Sequence, residues 1–199
     1  MLDFIKGTTL AANEWKTLRY PPSAAEEHKQ AGKTVVHKVT GTQAADMETI
    51  AALKIPAGKL IVPLKVWIAR QEELRPRLAA GELGVWCESF EVIEDLLATV
   101  DDINDFPVIA WDFVRFTDGR GYSTAALLRQ RYGYRNELRA IGDVLRDQLF
   151  YLRRCGFDAY ELRADRSTDA ALTGFADFSE PYQASVHIDQ PLWRRHIRG

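Results

Sequence analysis

The sequence predicts an α/β fold, a parallel sheet of about five strands built from βα repeats, and three observations carry that expectation. From Lys59 onward, short apolar runs alternate with amphipathic stretches at a spacing of roughly 25 residues, the size of a strand plus its crossover helix. The run Pro107–Phe113 is apolar enough to be buried on both faces. Each strand of the block 108–162 also stops at a short polar cluster: Phe116–Ser123, Gly142–Asp143 and Glu161–Asp165. Such clusters converge on the carboxyl edge of a parallel sheet, where ligands bind.

Residues 1–58 precede the rhythm and read as an edge hairpin or cap. Glu14–Arg19 and Lys33–Val39 have strand-like content, Pro21-Pro22 and a polar run separate them, and 44–53 suits a short helix. The repeat block 59–183 opens with the strand Leu60–Val62, and Pro63 suits the first turn of the helix that follows. Leu83–Trp86 is the second strand, followed by an acidic helix over 90–100 and the third strand over 107–113. Ser123 is placed to cap a helix over 124–132 that Gly133 ends. Glu137–Ile141 is the fourth strand, Asp143 caps the next helix, Ala159–Leu162 is the fifth strand, and a helix over 168–178 closes the block. Residues 184–199 form a basic tail with one tryptophan. Right-handed crossovers make an open sheet of the Rossmann or flavodoxin kind the expectation, with a partial TIM-type barrel as the alternative because five strands cannot close.

Composition narrows the function classes. The chain of 199 residues is 46% hydrophobic with a net charge of −2, and it contains no apolar run of membrane-spanning length and no signal-peptide pattern in its first residues, so a cytoplasmic location is expected, without membrane or nucleic-acid binding. Cys87 and Cys155 are far apart and form no CxxC, which argues against zinc, iron–sulfur and disulfide roles. No metal site or cofactor is recognisable, since GxGxxG and GxxxxGK[ST] are both absent. Charge is uneven: no basic residue lies between Arg77 and Arg115, and every cation after Lys65, histidine aside, is arginine, the residue suited to bidentate oxyanion contacts.

The candidate ligand-binding set is Asp118, Gly119, Arg120, Gly121, Tyr122, Ser123, Arg139, Gly142, Asp143 and Arg163. Two glycines and a helix N-terminus can bring backbone N–H groups to an anion, and Arg120 adds a charged fork. A plain turn with a helix cap accounts for the same loop without any ligand. Asp118, Asp143 and Glu161 are the candidate acids or bases, each with a structural reading as cap or ion-pair partner. His28, His37, His187 and His196 are isolated, so no nucleophilic triad is supported.

The runs FPVIAWDFVRFTDGRGYS, ELRAIGDVLRDQL and RRCGFDAYELR resemble the bacterial family catalogued as domain of unknown function 934, over roughly residues 60–183. The resemblance implies a role in sulfate assimilation, because members are commonly encoded beside assimilatory sulfite reductase and often labelled oxidoreductases of sulfite reduction. Two expectations follow. One is an accessory protein that binds sulfite reductase or another sulfate-assimilation enzyme, together with a small oxyanion. The other is an enzyme with an arginine-rich anion pocket at the strand carboxyl edge. DGRGYS is also similar to a loop of EAL-type cyclic-dinucleotide phosphodiesterases, but the metal-binding carboxylates of those enzymes are not recognisable here.

Overall fold

The computed structural model describes residues 4–20, 27–30, 33–36, 45–163 and 165–195. Three short strands come first: β1 (Phe4–Lys6), β2 (Thr9–Ala11) and β3 (Lys16–Thr17). β4 (Glu27–Gln30) and β5 (Lys33–Val36) pair with each other, antiparallel, and the remainder of the expected strand to Val39 lies outside the described residues. α1 (Met47–Ala52) is capped by Asp46, whose carboxylate accepts from Thr49 N at 2.8 Å.

The repeat block then alternates strand and helix. β6 (Leu60–Pro63) leads into α2 (Leu64–Ala69) and α3 (Gln71–Ala79), and β7 (Leu83–Glu88) into α4 (Ile93–Leu97). β8 (Val108–Phe113) precedes α5 (Arg120–Gln130), β9 (Glu137–Gly142) precedes α6 (Leu149–Cys155), and β10 (Ala159–Glu161) precedes α7 (Thr168–Ala171). A 3-10 turn over Leu172–Ala176 continues α7, and α8 (Leu192–Arg195) lies in the tail.

The main sheet has eight strands in the order β2-β1-β10-β9-β8-β7-β6-β3. Five parallel strands, β6 to β10, form its centre; β3 adds a sixth parallel strand, while β1 and β2 run antiparallel at the far edge. This corrects the expected count of about five and the expectation of a purely parallel sheet. The added strands are two or three residues long, too short to show a period-2 pattern.

The winding also differs from the Rossmann or flavodoxin expectation. Strands β6 to β10 follow one another in unbroken sequence order, so there is no topological switch point. Crossovers of one hand then place the crossover helices α2 to α6 on the same face. The sheet curls into an open half-barrel, helices outside, closer to the partial-barrel alternative.

Alternation along the strands divides the interior accordingly. Leu60, Val62, Leu83, Val85, Cys87, Ile109, Trp111, Phe113, Leu138, Ala140 and Tyr160 face the helices in the large core. The concave face holds a smaller cluster, Ile61, Trp86, Val108, Ala110 and Ile141, with Trp15 and Tyr20 packed against it.

Candidate functional site

The polar clusters that end β8, β9 and β10 meet at one end of the half-barrel. Asp143 joins them: its N–H donates to Phe113 O at 2.7 Å, and its carboxylate accepts from Phe116 N at 3.0 Å and from Arg163 Nη1 at 2.8 Å. Asp143 is therefore a tether between the 114–119 loop and the end of β10 and not the helix cap the sequence suggested; α6 starts six residues later, after a 3-10 turn. Arg163 also grips Asp165 through Nε at 2.6 Å and Nη2 at 3.1 Å, so each of its three nitrogens has a carboxylate partner.

Arg120 pairs with one carboxylate, two residues away. It donates to Asp118 from Nε at 3.0 Å, from Nη2 at 2.7 Å and from its backbone N–H at 3.1 Å, a local ring that holds the Asp118 carboxyl down to about 2. α5 begins at Arg120 with Gly119 at the cap position, so Ser123 lies exposed within the first turn and does not cap the helix. Gly121 is there for packing: a Cβ would come within 2.5 Å of Trp111 Cδ1 and 2.6 Å of Phe113 Cζ. The Tyr122 ring packs on Phe113 and Tyr151, and its hydroxyl accepts from Gln148 Nε2 at 3.1 Å.

Gly142 closes β9 at φ +92°, where a Cβ would meet the Asp112 carboxylate and stand 2.6 Å from Phe113 O. Only glycine accepts both the left-handed backbone and that approach.

Arg139 and Glu161 belong to the concave face. Arg139 is fully buried, donating from Nε at 2.8 Å and Nη2 at 2.6 Å to Glu137 Oε1 and from Nη1 at 3.0 Å to Asn13 Oδ1, with its guanidinium 4.2 Å over the Phe4 ring. Lys6 Nζ stands 3.0 Å from Glu137 Oε2. Glu161 Oε2 lies 3.9 Å from Arg139 Nη1, buried and without a hydrogen bond.

Along this face, toward β7, lies a second group that the sequence reading missed. Arg19 makes a two-pronged ion pair with the buried Asp112 and stacks 4.8 Å over the Trp86 ring. Glu88 is opposite Asp112 in the β7–β8 register and only 2% exposed, and among the described residues neither of its carboxyl oxygens has a hydrogen-bond partner. Burial first, and the neighbouring Glu91 charge second, push its carboxyl up to about 8. Tyr20, edge-on to Trp86 with ring centroids 6.1 Å apart, also has an enclosed hydroxyl without a partner. In the sequence, Glu88 reads as one of many acids in an acidic stretch; its place on the inner face is visible only once the register is known.

Cys87 points the other way, into the helix-covered core, where burial raises its thiol far out of the reactive range. Among the described residues no group of three or more His, Cys, Asp or Glu side chains is arranged to hold a metal ion. No helix among them is long and apolar enough to cross a membrane.

Residues 84–193 match the family model described as bacterial protein of unknown function (DUF934). The chain belongs to that family. No curated protein and no solved structure gives a significant match. The DUF934 stretch begins within β7 and runs into α8, so it takes in Glu88, Asp112, the 114–119 loop, Asp143 and Arg163.

Proposed function

We propose that this DUF934 protein is an accessory component of assimilatory sulfite reduction that docks on sulfite reductase or another sulfate-assimilation enzyme. The pathway rests on the motif resemblance. The docking mode rests on one observation, an exposed aromatic face along α6 and the segment that follows the 3-10 turn. Phe150, Tyr151, Phe178 and Tyr182 line a groove of about 420 Å³ with Pro181 and Arg154, and the Phe150 and Phe178 rings lie 5.1 Å apart. Tyr151, Phe178 and Tyr182 are each more than half exposed. α8 extends the face, since Leu192 N donates to Tyr182 O at 2.9 Å and Trp193 is 57% exposed beside it. Aromatic rings held out in this way are costly for an isolated molecule and typical of interface anchors.

The same geometry weighs against the alternative, an enzyme with an arginine-rich anion pocket using Asp118, Asp143 or Glu161. A small oxyanion would compete with Asp118 for Arg120, whose Nε and Nη2 are already engaged, and with Asp165 and Asp143 for Arg163, all three of whose nitrogens are engaged. Docking is the role these pairings favour.

The test is co-purification of the full-length protein with sulfite reductase and with the other sulfate-assimilation enzymes of its source, followed by affinity measurement on Tyr151→Asp and Phe178→Asp. A specific complex weakened about tenfold or more by either change, with unaltered melting, supports the reading. No complex with any of these enzymes sinks it. Sustained sulfite-dependent oxidation of a nicotinamide donor by the isolated protein establishes the enzyme instead.

A further inference from the structure

The concave end of the sheet beside Trp86 carries polar groups that nothing in the docking role uses. Glu88 is enclosed there with both oxygens unsatisfied, and the Tyr20 hydroxyl is unsatisfied as well. A buried carboxyl without a donor is among the costlier arrangements a fold can keep. Among the described residues the neighbouring cations act on Glu88 by charge but give it no hydrogen bond. Arg19 is taken by Asp112, and Lys65 Nζ sits 4.9 Å over the Phe90 ring. Glu91 accepts from Glu88 N at 2.7 Å, which places a second acid beside the first.

We infer that this end of the concave face binds an organic cation, an ammonium or guanidinium group, between the carboxyls of Glu88 and Glu91 and beside the rings of Tyr20 and Trp86. The position is the carboxyl end of β7 and β8, the ligand-binding end of a curled parallel sheet. Among the described residues the charge balance suits a cation better than an anion: Glu91 and Asp95, joined by Glu88 once it ionises, stand against Lys65, while Arg19 and Asp112 cancel. A cation would supply the missing donors to Glu88, and the faces of Tyr20 and Trp86 favour positive charge. Tyr20 as a residue is partly exposed, while its hydroxyl is enclosed beside Glu88.

Binding is coupled to a proton. The groups that act on Glu88 are Glu91 and Asp112, which favour its neutral form, and Lys65 and Arg19, which favour the charged one. An arriving cation ionises Glu88 and expels the proton it holds below about pH 8.

The experiment is calorimetric titration of the full-length protein with methylguanidinium and propylammonium chloride, at about pH 6 and about pH 8.5, in buffers of different ionisation enthalpy. Saturable binding is expected, tighter at the higher pH, with net proton release at the lower. Glu88→Gln, checked by thermal melting, should weaken it about ten- to a hundredfold and abolish the proton release. No saturable binding by the parent at either pH overturns the inference, as does equal affinity in Glu88→Gln. Glu88-dependent binding of sulfite in place of the cations also overturns it.

Discussion

Glu88 keeps its proton to about pH 8 because it is buried beside other acids with no donor to stabilise its charge. The native state thus holds a proton that the unfolded chain releases near the ordinary value of 4.5. Stability from this residue is full below that value, falls as pH rises through the window to about 8, and is flat beyond it, with a slope of at most about 1.4 kcal/mol per pH unit. Glu88→Gln should flatten most of that slope and stabilise the protein at alkaline pH, as urea melts across the window would measure. Glu91 and Asp158, both raised by burial, leave a residual slope of the same sign. At Gly142, alanine would meet both a left-handed backbone and the Phe113 carbonyl. Gly142→Ala should cost about 2 to 4 kcal/mol in denaturant unfolding. A value near zero would mean that the end of β9 relaxes freely.

Elements here are held in register by arginines that reach across connections. Arg129 of α5 donates to Gly156 O, Tyr134 O and Asn136 O, each at 2.8 Å, and to Asp158 Oδ2 at 2.9 Å. One side chain thereby satisfies the turn before β9 and the turn before β10. Arg129→Ala strands three carbonyls and a half-buried carboxylate and should lower stability by about 3 kcal/mol. Arg129→Lys should recover only a part, since a single ammonium cannot span the four acceptors. Asp143 does comparable work at the opposite end, so Asp143→Ala should free the 114–119 loop from β10. Hydrogen exchange at the Phe116 amide, which Asp143 accepts, is the direct readout. Unchanged protection there would remove Asp143 from that role.

At the scale of the whole molecule, the sequential strand order decides the shape. With the crossover helices on one side, the other side of the sheet is free to curl and to hold charge, and it does: Lys6, Arg19, Glu88, Asp112, Glu137, Arg139 and Glu161 all belong to it. The aromatic groove lies on the outer, helical side, so the docking face and the cation site are separable. Aspartate at Tyr151 or Phe178 should leave cation titrations unchanged, and Glu88→Gln should leave partner binding unchanged. Loss of both functions in either variant would show that the two faces are coupled.

The βα rhythm from Lys59, the polar strand ends and most strand positions were legible in the sequence because they depend on local pattern: apolar runs of a given length, closed by glycine or an acid. The DUF934 motifs carry their own identity in the same local way. What the tertiary structure alone decided is what each polar residue faces. Arg120 and Asp118 satisfy each other two residues apart, whereas Arg19 finds Asp112 from 93 residues away. Period-2 alternation names two faces but not which one the helices cover. That choice follows from strand order, and strand order is set by which strands pair, a property of the packed chain. Arg139, Glu161 and Glu88 became inner-face residues only once the sheet had curled.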